Sequence, residues 1–447
     1  MIIFQWFRLQ VFLKTGPGFL DNEWFSGARL NFAENLLKIR DNRIALICAD
    51  EHGNEETVTY AEMFEEVQEY AAAFRKQGVT VGDRVTCAPN LKKVVVVASK
   101  RQTVYRLSEI NKSILLEDFL LNGRTDDGKI PDITFEQLPF NHPTAINFTS
   151  GTTGIPKGVV HSAGSFIAQL RDFGIHYNLK SGDTIYTYCP VGWSVWDDPI
   201  PSLALGVTLI LFNGSPQYRW TLWDCLSTSW MNFDSLKIIL LEAAPSKQRN
   251  FEFLLNNVKK DLFIASSYGA TEVFGNFSGF DLRRPALSSE CQAPALGVDL
   301  QVFDDHGVWR QSDEGWINPR TKGIVVIGRS DDTIKQDGER FCAGDIYFGI
   351  DGMEELQDYI CVGQTRWDSD SRAVLFVKLK KDYKFTPELR AKIVETIKRE
   401  VSFDYVPKLI LDILDIPYNL NRKRLERVVK IILETNTIPE VQNIRNP

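Results

Sequence analysis

The chain has 447 residues, of which 44% are hydrophobic and 24% charged, and its formal net charge is −7. That length accommodates two or three domains with sizeable cores. The acidic balance argues against a nucleic-acid binder, which needs a basic face, and no block of like charges suggests an interaction tail.

The opening stretch, Met1 to Leu20, is apolar but broken by Gln5, Arg8, Gln10 and Lys14, so it does not read as a signal peptide. No uninterrupted apolar run reaches the ~18 residues of a membrane span. Seven scattered cysteines include no C-x-x-C pair, and five histidines show no metal spacing. The expectation is a cytosolic chain with reduced thiols.

Thr57–Tyr60 predicts a strand end leading into a helix. Thr59 and Glu62 have capping-box spacing, Phe64, Val67, Ala71 and Phe74 share one helical face, and Gly78 closes the helix. Short β-branched runs predict buried strands at Arg84–Cys87, Val94–Ala98, Ala145–Phe148, Val207–Phe212, Ile238–Leu241, Leu262–Ala265 and Ile324–Ile327. Helical stretches between several of them point to α/β layers. After Gly328 the texture changes. A charged turn, Arg329 to Arg340, precedes one strand, Ala373–Leu379. A helix then starts with Thr386 as cap and Pro387 at its first position, and a last amphipathic helix covers Arg424 to Glu434. The predicted domain boundary lies near Gly328–Asp331.

The strongest chemical signal is Thr149-Ser150-Gly151-Thr152-Thr153-Gly154-Ile155-Pro156-Lys157-Gly158, which follows an apolar run. Glycines without Cβ let the backbone curl its N–H groups toward an anion, and hydroxyls and a lysine add donors. The loop suits a polyphosphate. It is not a Walker loop, because proline precedes Lys157 and glycine follows it. Downstream, Tyr268-Gly269-Ala270-Thr271-Glu272 follows a predicted strand. A carboxylate at the C-terminal end of a parallel strand is well placed for Mg²⁺ beside phosphates.

T-S-G-T-T-G-x-P-K-G resembles the signature loop of the adenylate-forming superfamily, which includes acyl-CoA synthetases, luciferases and peptide-synthetase adenylation domains. The resemblance implies that Thr149, Ser150, Gly151, Thr152, Thr153, Gly154 and Lys157 hold the ATP β- and γ-phosphates. It implies that Tyr268 flanks adenine, Thr271 faces the α-phosphate and Glu272 binds magnesium. Gly328-Arg329-Ser330-Asp331-Asp332 with Gly338 and Arg340 resembles the family hinge. Arg329 then grips the ribose, Asp331 is the pivot and Arg340 meets a phosphate. Ile416-Pro417-Tyr418-Asn419-Leu420-Asn421-Arg422-Lys423 resembles the catalytic-lysine loop, with arginine where the family carries glycine. Lys423, Lys157 and Thr271 are the implied catalytic set.

Trp24 to Asn35 resembles the lead-in shared by acetyl- and acetoacetyl-CoA synthetases. His161-Ser162-Ala163-Gly164, Val191-Gly192-Trp193-Ser194-Val195-Trp196, Asn213-Gly214-Ser215-Pro216 and Ile416-Pro417-Tyr418 lean to the acetoacetyl branch. Trp193 and Trp196 would line an acyl pocket too tight for a long chain. Trp196 reads equally well as a core aromatic.

Against the family pattern the chain is short. Ala88-Pro89-Asn90 leaves no room for a parallel crossover between its flanking runs. Further gaps fall after Trp223 and before Gly315-Trp316-Ile317. Asp313-Glu314-Gly315-Trp316 shifts or loses the ribose aspartate, and Ala243-Ala244-Pro245 alters the adenine string.

The resemblance implies an α/β fold with a large adenylate-forming N-terminal domain of layered sheets and helices and a small mobile α+β C-terminal domain. The expected divisions are 1–60 as lead-in, 61–328 as AMP-binding domain and 329–447 as mobile domain. The implied reaction joins acetoacetate to coenzyme A through an acyl adenylate, with ATP, Mg²⁺ and coenzyme A. Small molecules, and neither nucleic acid nor a membrane span, are the expected partners. Two alternatives stay open: a catalytically impaired relative that binds nucleotide or a protein, and a ligase for acetate, propionate or another short acid.

Overall fold

A computed structural model describes residues 13–17, 22–50, 52–85, 93–97, 107–148, 157–189, 196–214, 233–242, 248–288, 290–300, 313–329, 334–337, 339–365, 371–419, 423–439 and 446. In its first half, four strands form one sheet in the order Thr184–Tyr186, Thr208–Asn213, Ile44–Asp50, Glu55–Thr59. The first three run parallel and the fourth antiparallel. The central strand Ile44–Asp50 is absent from the sequence-based expectation.

The helix after this sheet, Tyr60–Lys76, starts as its capping box requires: the Glu62 N–H donates to the Thr59 side chain, and the Glu62 carboxylate accepts from the Thr59 N–H at 2.8 Å. It ends at Gln77, and Gly78 takes φ +77°. The expected face is half-buried, while Tyr60, Met63 and Ala73 go deepest. Tyr60 is wholly enclosed with Leu36, Leu37, Leu203 and Val207, and its hydroxyl donates to the Val207 carbonyl at 2.6 Å, with the Leu203 carbonyl at 3.0 Å. The lead-in string has a local reason too. The Asn31 side chain caps the short helix Phe32–Leu36 by accepting from the Glu34 N–H at 3.1 Å.

Ile238–Leu241 and Phe263–Ser266 pair in parallel, and the helix Gln248–Asn257 lies between them in sequence. Its Phe251 and Leu254 pack on Leu262 and Ile264, the usual way a parallel crossover buries one face. Val94–Val96 pairs in parallel with Ser113–Leu115. Arg84 and Val85 belong to no strand, and residues 86–92 lie outside the described ones.

Two expectations for the last third need correction. The stretch Arg329 to Arg340 is not simply a turn. It contains the strands Ile334–Gln336 and Glu339–Phe341, paired around Asp337 at φ +52°. Ile334 and Phe341 are anchored in the core, and Gln336 donates to the carbonyls of Asp404 and Val406 while accepting from the Ala373 N–H at 3.0 Å. Nor is there a single strand. Leu356–Thr365, Ser371–Leu379 and Leu409–Asp412 form a three-stranded sheet. Tyr359, Cys361, Leu375 and Val377 face one core with the helices Ala343–Ile350 and Pro387–Glu400. Ile360, Val362 and Val374 face the other, shared with Val429 of the helix Glu426–Thr435. Both faces are covered, so apolar residues stand at consecutive positions over Tyr359–Val362 and Ala373–Val377, and the alternation that marks a half-exposed strand is lost.

Among the described residues no helix is long and apolar enough to cross a membrane. Cys48, Cys189, Cys291, Cys342 and Cys361 form no disulfide.

Candidate active site

The phosphate-loop motif closes a β-hairpin. Pro143–Phe148 pairs antiparallel with Gly158–Ser162, Phe148 opposite Gly158, so the motif turns the chain between two strands. A Walker loop leads from strand into helix, so this connection accounts for the different sequence. Thr149 to Pro156 lie outside the described residues; Lys157, exposed, leads into the returning strand.

Next to this hairpin stands the Tyr268–Glu272 motif. Gly269–Ala270 and Gly275–Asn276 form a second, very short hairpin, and Thr271 and Glu272 sit in its turn. Gly269 has a steric reason: a Cβ there would lie 2.4 Å from the Gly275 carbonyl oxygen. Phe274 ends the turn at φ +49°, a costly backbone for a bulky residue, held because its ring is buried against Phe166 at 4.5 Å and His161 at 4.7 Å. Tyr268 is fixed through its N–H, which donates to Ser278 Oγ at 2.8 Å. Glu272 is exposed, its carboxylate open to solvent.

His161 links the two motifs. It lies on the returning strand of the phosphate hairpin, and its ring packs at 4.7 Å against Phe274, which ends the turn that holds Thr271 and Glu272. Burial holds the ring below the ordinary histidine range, and the nearby Thr271 backbone and the Glu272 charge offset this in part. Sequence reading used His161 only as a family marker. The string itself carries no signal of this packing, because Val160 is exposed and His161 buried, the reverse of what hydropathy indicates.

Behind them lies a buried acidic cluster that the motifs do not name. Gln169, on the helix Ala163–Arg171, donates to Asp198 Oδ1 at 2.7 Å. Burial, then the neighbouring Glu242, pushes Asp198 up to about 7. Burial also raises Glu242 and Asp197. It pushes Cys189 up to about 12, with the charges of Asp198 and Glu242 adding to the effect. Asp172 is balanced by Arg171 at 2.8 Å. Trp196, two residues before Asp198, is 36% exposed and borders a shallow depression formed by Ile185, Thr187, Pro199, Leu209, Ile210 and Leu211. It is therefore no core aromatic. Trp193 and the Ala243-Ala244-Pro245 string lie outside the described residues.

The third part of the motif set is carried by backbone. Asp313–Ile317 pairs antiparallel with Ile324–Arg329, with Asp313 opposite Arg329 and a bulge between Glu314 and Gly315. Arg340 stands opposite Lys335 in the following hairpin, and Asp331 is outside the described residues. Lys423 lies in a turn: its N–H donates to Asn419 Oδ1 at 2.9 Å and its carbonyl accepts from the Asn419 N–H at 3.0 Å.

Glu272 fits a magnesium ion that takes most of its ligands from phosphate and water, since such ions need only one or two protein carboxylates. Among the described residues no group of three or more His, Cys, Asp or Glu side chains could hold a metal unaided.

A family model described as "AMP-binding enzyme" matches residues 87–231. The fold resembles an acetoacetyl-CoA synthetase from Streptomyces lividans, with a TM-score of 0.82 over 98% of this chain and 88% of that one at 23% identity. The acetoacetyl-CoA synthetase of Gallus gallus is 31% identical over 570 aligned positions, covering 95% of this chain and 85% of the relative. The chain belongs to the acetoacetyl-CoA synthetase family. The Mus musculus member is 30% identical and covers 97% of this chain. The family's class of reaction is ATP-dependent ligation of an acid to coenzyme A through an acyl adenylate. At 570 positions, the Gallus alignment is longer than the chain's own 447 residues, so stretches of that relative have no counterpart here.

Proposed function

We propose that this chain joins acetoacetate to coenzyme A. The acid's carboxylate attacks the ATP α-phosphorus, the bond to the bridging oxygen breaks, and pyrophosphate leaves. The thiolate of coenzyme A then attacks the acyl carbon and AMP departs. Thr149, Ser150, Gly151, Thr152, Thr153, Gly154 and Lys157 hold the leaving pyrophosphate, with Arg340 as a further phosphate contact. Thr271 meets the α-phosphate, Tyr268 flanks adenine, Arg329 grips the ribose and Lys423 neutralises charge as carboxylate and phosphate meet. Glu272 would hold Mg²⁺, which would supply neutralisation of phosphate charge. Trp193 and Trp196 bound the acyl pocket. Residues 329–447 form the domain that carries Lys423, with Asp331 as its pivot.

What supports this reading is the packing of the His161 ring on Phe274, which ties the phosphate hairpin to the turn that holds Thr271 and Glu272. It gives one rigid base to groups that must act on the same triphosphate. The names of the relatives supply the acid. The test is ATP–pyrophosphate exchange by purified protein with acetoacetate, acetate, propionate or palmitate. Exchange should depend on added acid and be best with acetoacetate; equal or better exchange with palmitate refutes the acyl assignment.

A second reading, a catalytically impaired relative, is favoured by the positions missing from the alignment. No exchange with any short acid, despite nucleotide binding by calorimetry, would establish it.

A further inference from the structure

The backbone at Lys423 is held by residues of its own motif and by others outside it. Leu425 N–H donates to the Pro417 carbonyl at 3.0 Å, and Tyr418 and Arg424 form an antiparallel bridge. These bonds close the chain on both sides of Lys423. The side chains of the bridging pair converge on one carboxylate. Arg424 Nη2 donates to Asp358 Oδ1 at 2.8 Å, and the Tyr418 hydroxyl donates to Asp358 Oδ2 at 2.5 Å.

Arg424 is also held from its faces. Its guanidinium carbon lies 4.8 Å from the Tyr347 ring centre and 4.9 Å from that of Tyr359. Both tyrosines are themselves tied down. The Tyr347 hydroxyl accepts from the Cys361 N–H at 2.9 Å and donates to Glu426 at 3.2 Å, and the Tyr359 hydroxyl donates to Asp351 at 2.8 Å. Asp358, Tyr359 and Cys361 belong to the strand Leu356–Thr365, a pillar of the C-terminal sheet. The residue next to Lys423 is thereby tied to a strand of the C-terminal sheet.

We infer that Arg424 is a positioning residue for adenylate formation: clamped by Tyr347, Tyr359 and Asp358, it fixes the backbone from which Lys423 reaches the reacting phosphate. This inference rests on the role given to Lys423 above. A lysine ammonium stands at the end of a flexible four-carbon stem, so freedom at its backbone adds directly to scatter at its tip. Misplacement of a catalytic group by about 1 Å can cost roughly a hundredfold in rate. Lysine at 424 would keep the charge yet lose the planar fork and the stacking, so the arginine is specific to this geometry.

The experiment measures two half-reactions, acetoacetate-dependent ATP–pyrophosphate exchange and thioester formation from supplied acyl adenylate. The proteins are the parent, Arg424→Met, Arg424→Lys, Lys423→Ala and the Lys423→Ala/Arg424→Met double variant. Arg424→Met should lower the maximal exchange rate by roughly 30- to 100-fold with little change in half-saturating ATP. Thioester formation should stay within about twofold of the parent. Arg424→Lys should recover only part of the loss. Adding Arg424→Met to Lys423→Ala should cost nothing more, because a residue that acts through Lys423 has nothing left to position. If Arg424→Met does not fold, Tyr418→Phe removes one tie to Asp358 and should give the same one-sided loss at roughly fivefold. Parent-like exchange in Arg424→Met beside an inactive Lys423→Ala overturns the positioning role alone. So do equal losses in both half-reactions, or a further loss in the double variant. Parent-like exchange in Lys423→Ala overturns the lysine assignment and the clamp with it.

Discussion

Replacing Asp198 with asparagine should stabilise the protein in alkaline buffer and change it little in acid. Gln169 Nε2 donates to Asp198 Oδ1 at 2.7 Å, and an asparagine oxygen can accept the same bond. What the substitution removes is a charge. Burial and Glu242 raise this carboxyl from 3.8 to about 7, so the folded protein holds the proton more tightly than the unfolded chain. Between those values the native state binds more protons, so stability falls as pH rises through this window and stays low above it. About three units at 1.36 kcal/mol each set a ceiling of ~4 kcal/mol. The side chain keeps partial access to solvent, which screens part of that cost, so ~2 kcal/mol is the expected effect. An asparagine side chain carries no such charge. The Asp198→Asn variant should therefore exceed the parent by ~2 kcal/mol near pH 8, and the gap should shrink steadily below about pH 7. Urea unfolding of both proteins, in buffers of matched ionic strength from about pH 5 to about pH 8.5, measures it. A gap independent of pH, or a variant less stable than the parent at alkaline pH, would refute the reasoning.

Tyr60→Phe removes the donor shared by the Leu203 and Val207 carbonyls and should cost about 1–3 kcal/mol in the same assay, with no pH dependence across the neutral range. Gly269→Ala forces a Cβ against the Gly275 carbonyl, so it should deform the Thr271–Glu272 turn and depress pyrophosphate exchange well before it unfolds the protein; parent-like exchange would show that the turn does not serve the nucleotide. Where the family carries its ribose aspartate this sequence reads Asp313-Glu314-Gly315-Trp316, with the aspartate shifted or absent, so ATP should bind roughly ten- to a hundredfold more weakly than with a full ribose grip, the loss of one charge-assisted bond. A tight micromolar ATP complex in calorimetry, with a further drop in Arg329→Ala, would instead mean that a neighbouring carboxylate completes the grip; the register of Asp313 opposite Arg329 makes that residue the one to mutate next.

Local chemistry was legible where the cause is local. The Thr59–Glu62 capping box and the Thr386-Pro387 start each depend on atoms within a few residues, and both helices begin where the sequence indicates. The phosphate loop and the Tyr268–Glu272 turn were readable as strings for the same reason, since glycines and hydroxyls at set spacing describe a backbone path. The last helix was read two residues early, and the reason is tertiary. Arg424 is drawn into the Asp358 clamp, so the helix begins at Glu426.

What the sequence alone determined is the family resemblance and the α/β class of the fold; the chemistry-bearing residues it names are the candidates that the proposed experiments test. In the three-stranded sheet of the last third, Ala373–Leu379 was legible, whereas Leu356–Thr365 and Leu409–Asp412 escaped it, because a sheet buried on both faces loses the period-two signal. The hairpin inside Arg329 to Arg340 escaped it because Gln336, a polar residue, occupies a core position and is satisfied only by the distant carbonyls of Asp404 and Val406. Only the tertiary structure brought His161 to Thr271, Asp198 to Glu242, and Asp358 to both Tyr418 and Arg424. Each of these is a meeting of side chains far apart in sequence, and their energies come from burial and from shared hydrogen bonds that exist only once the chain has closed around them.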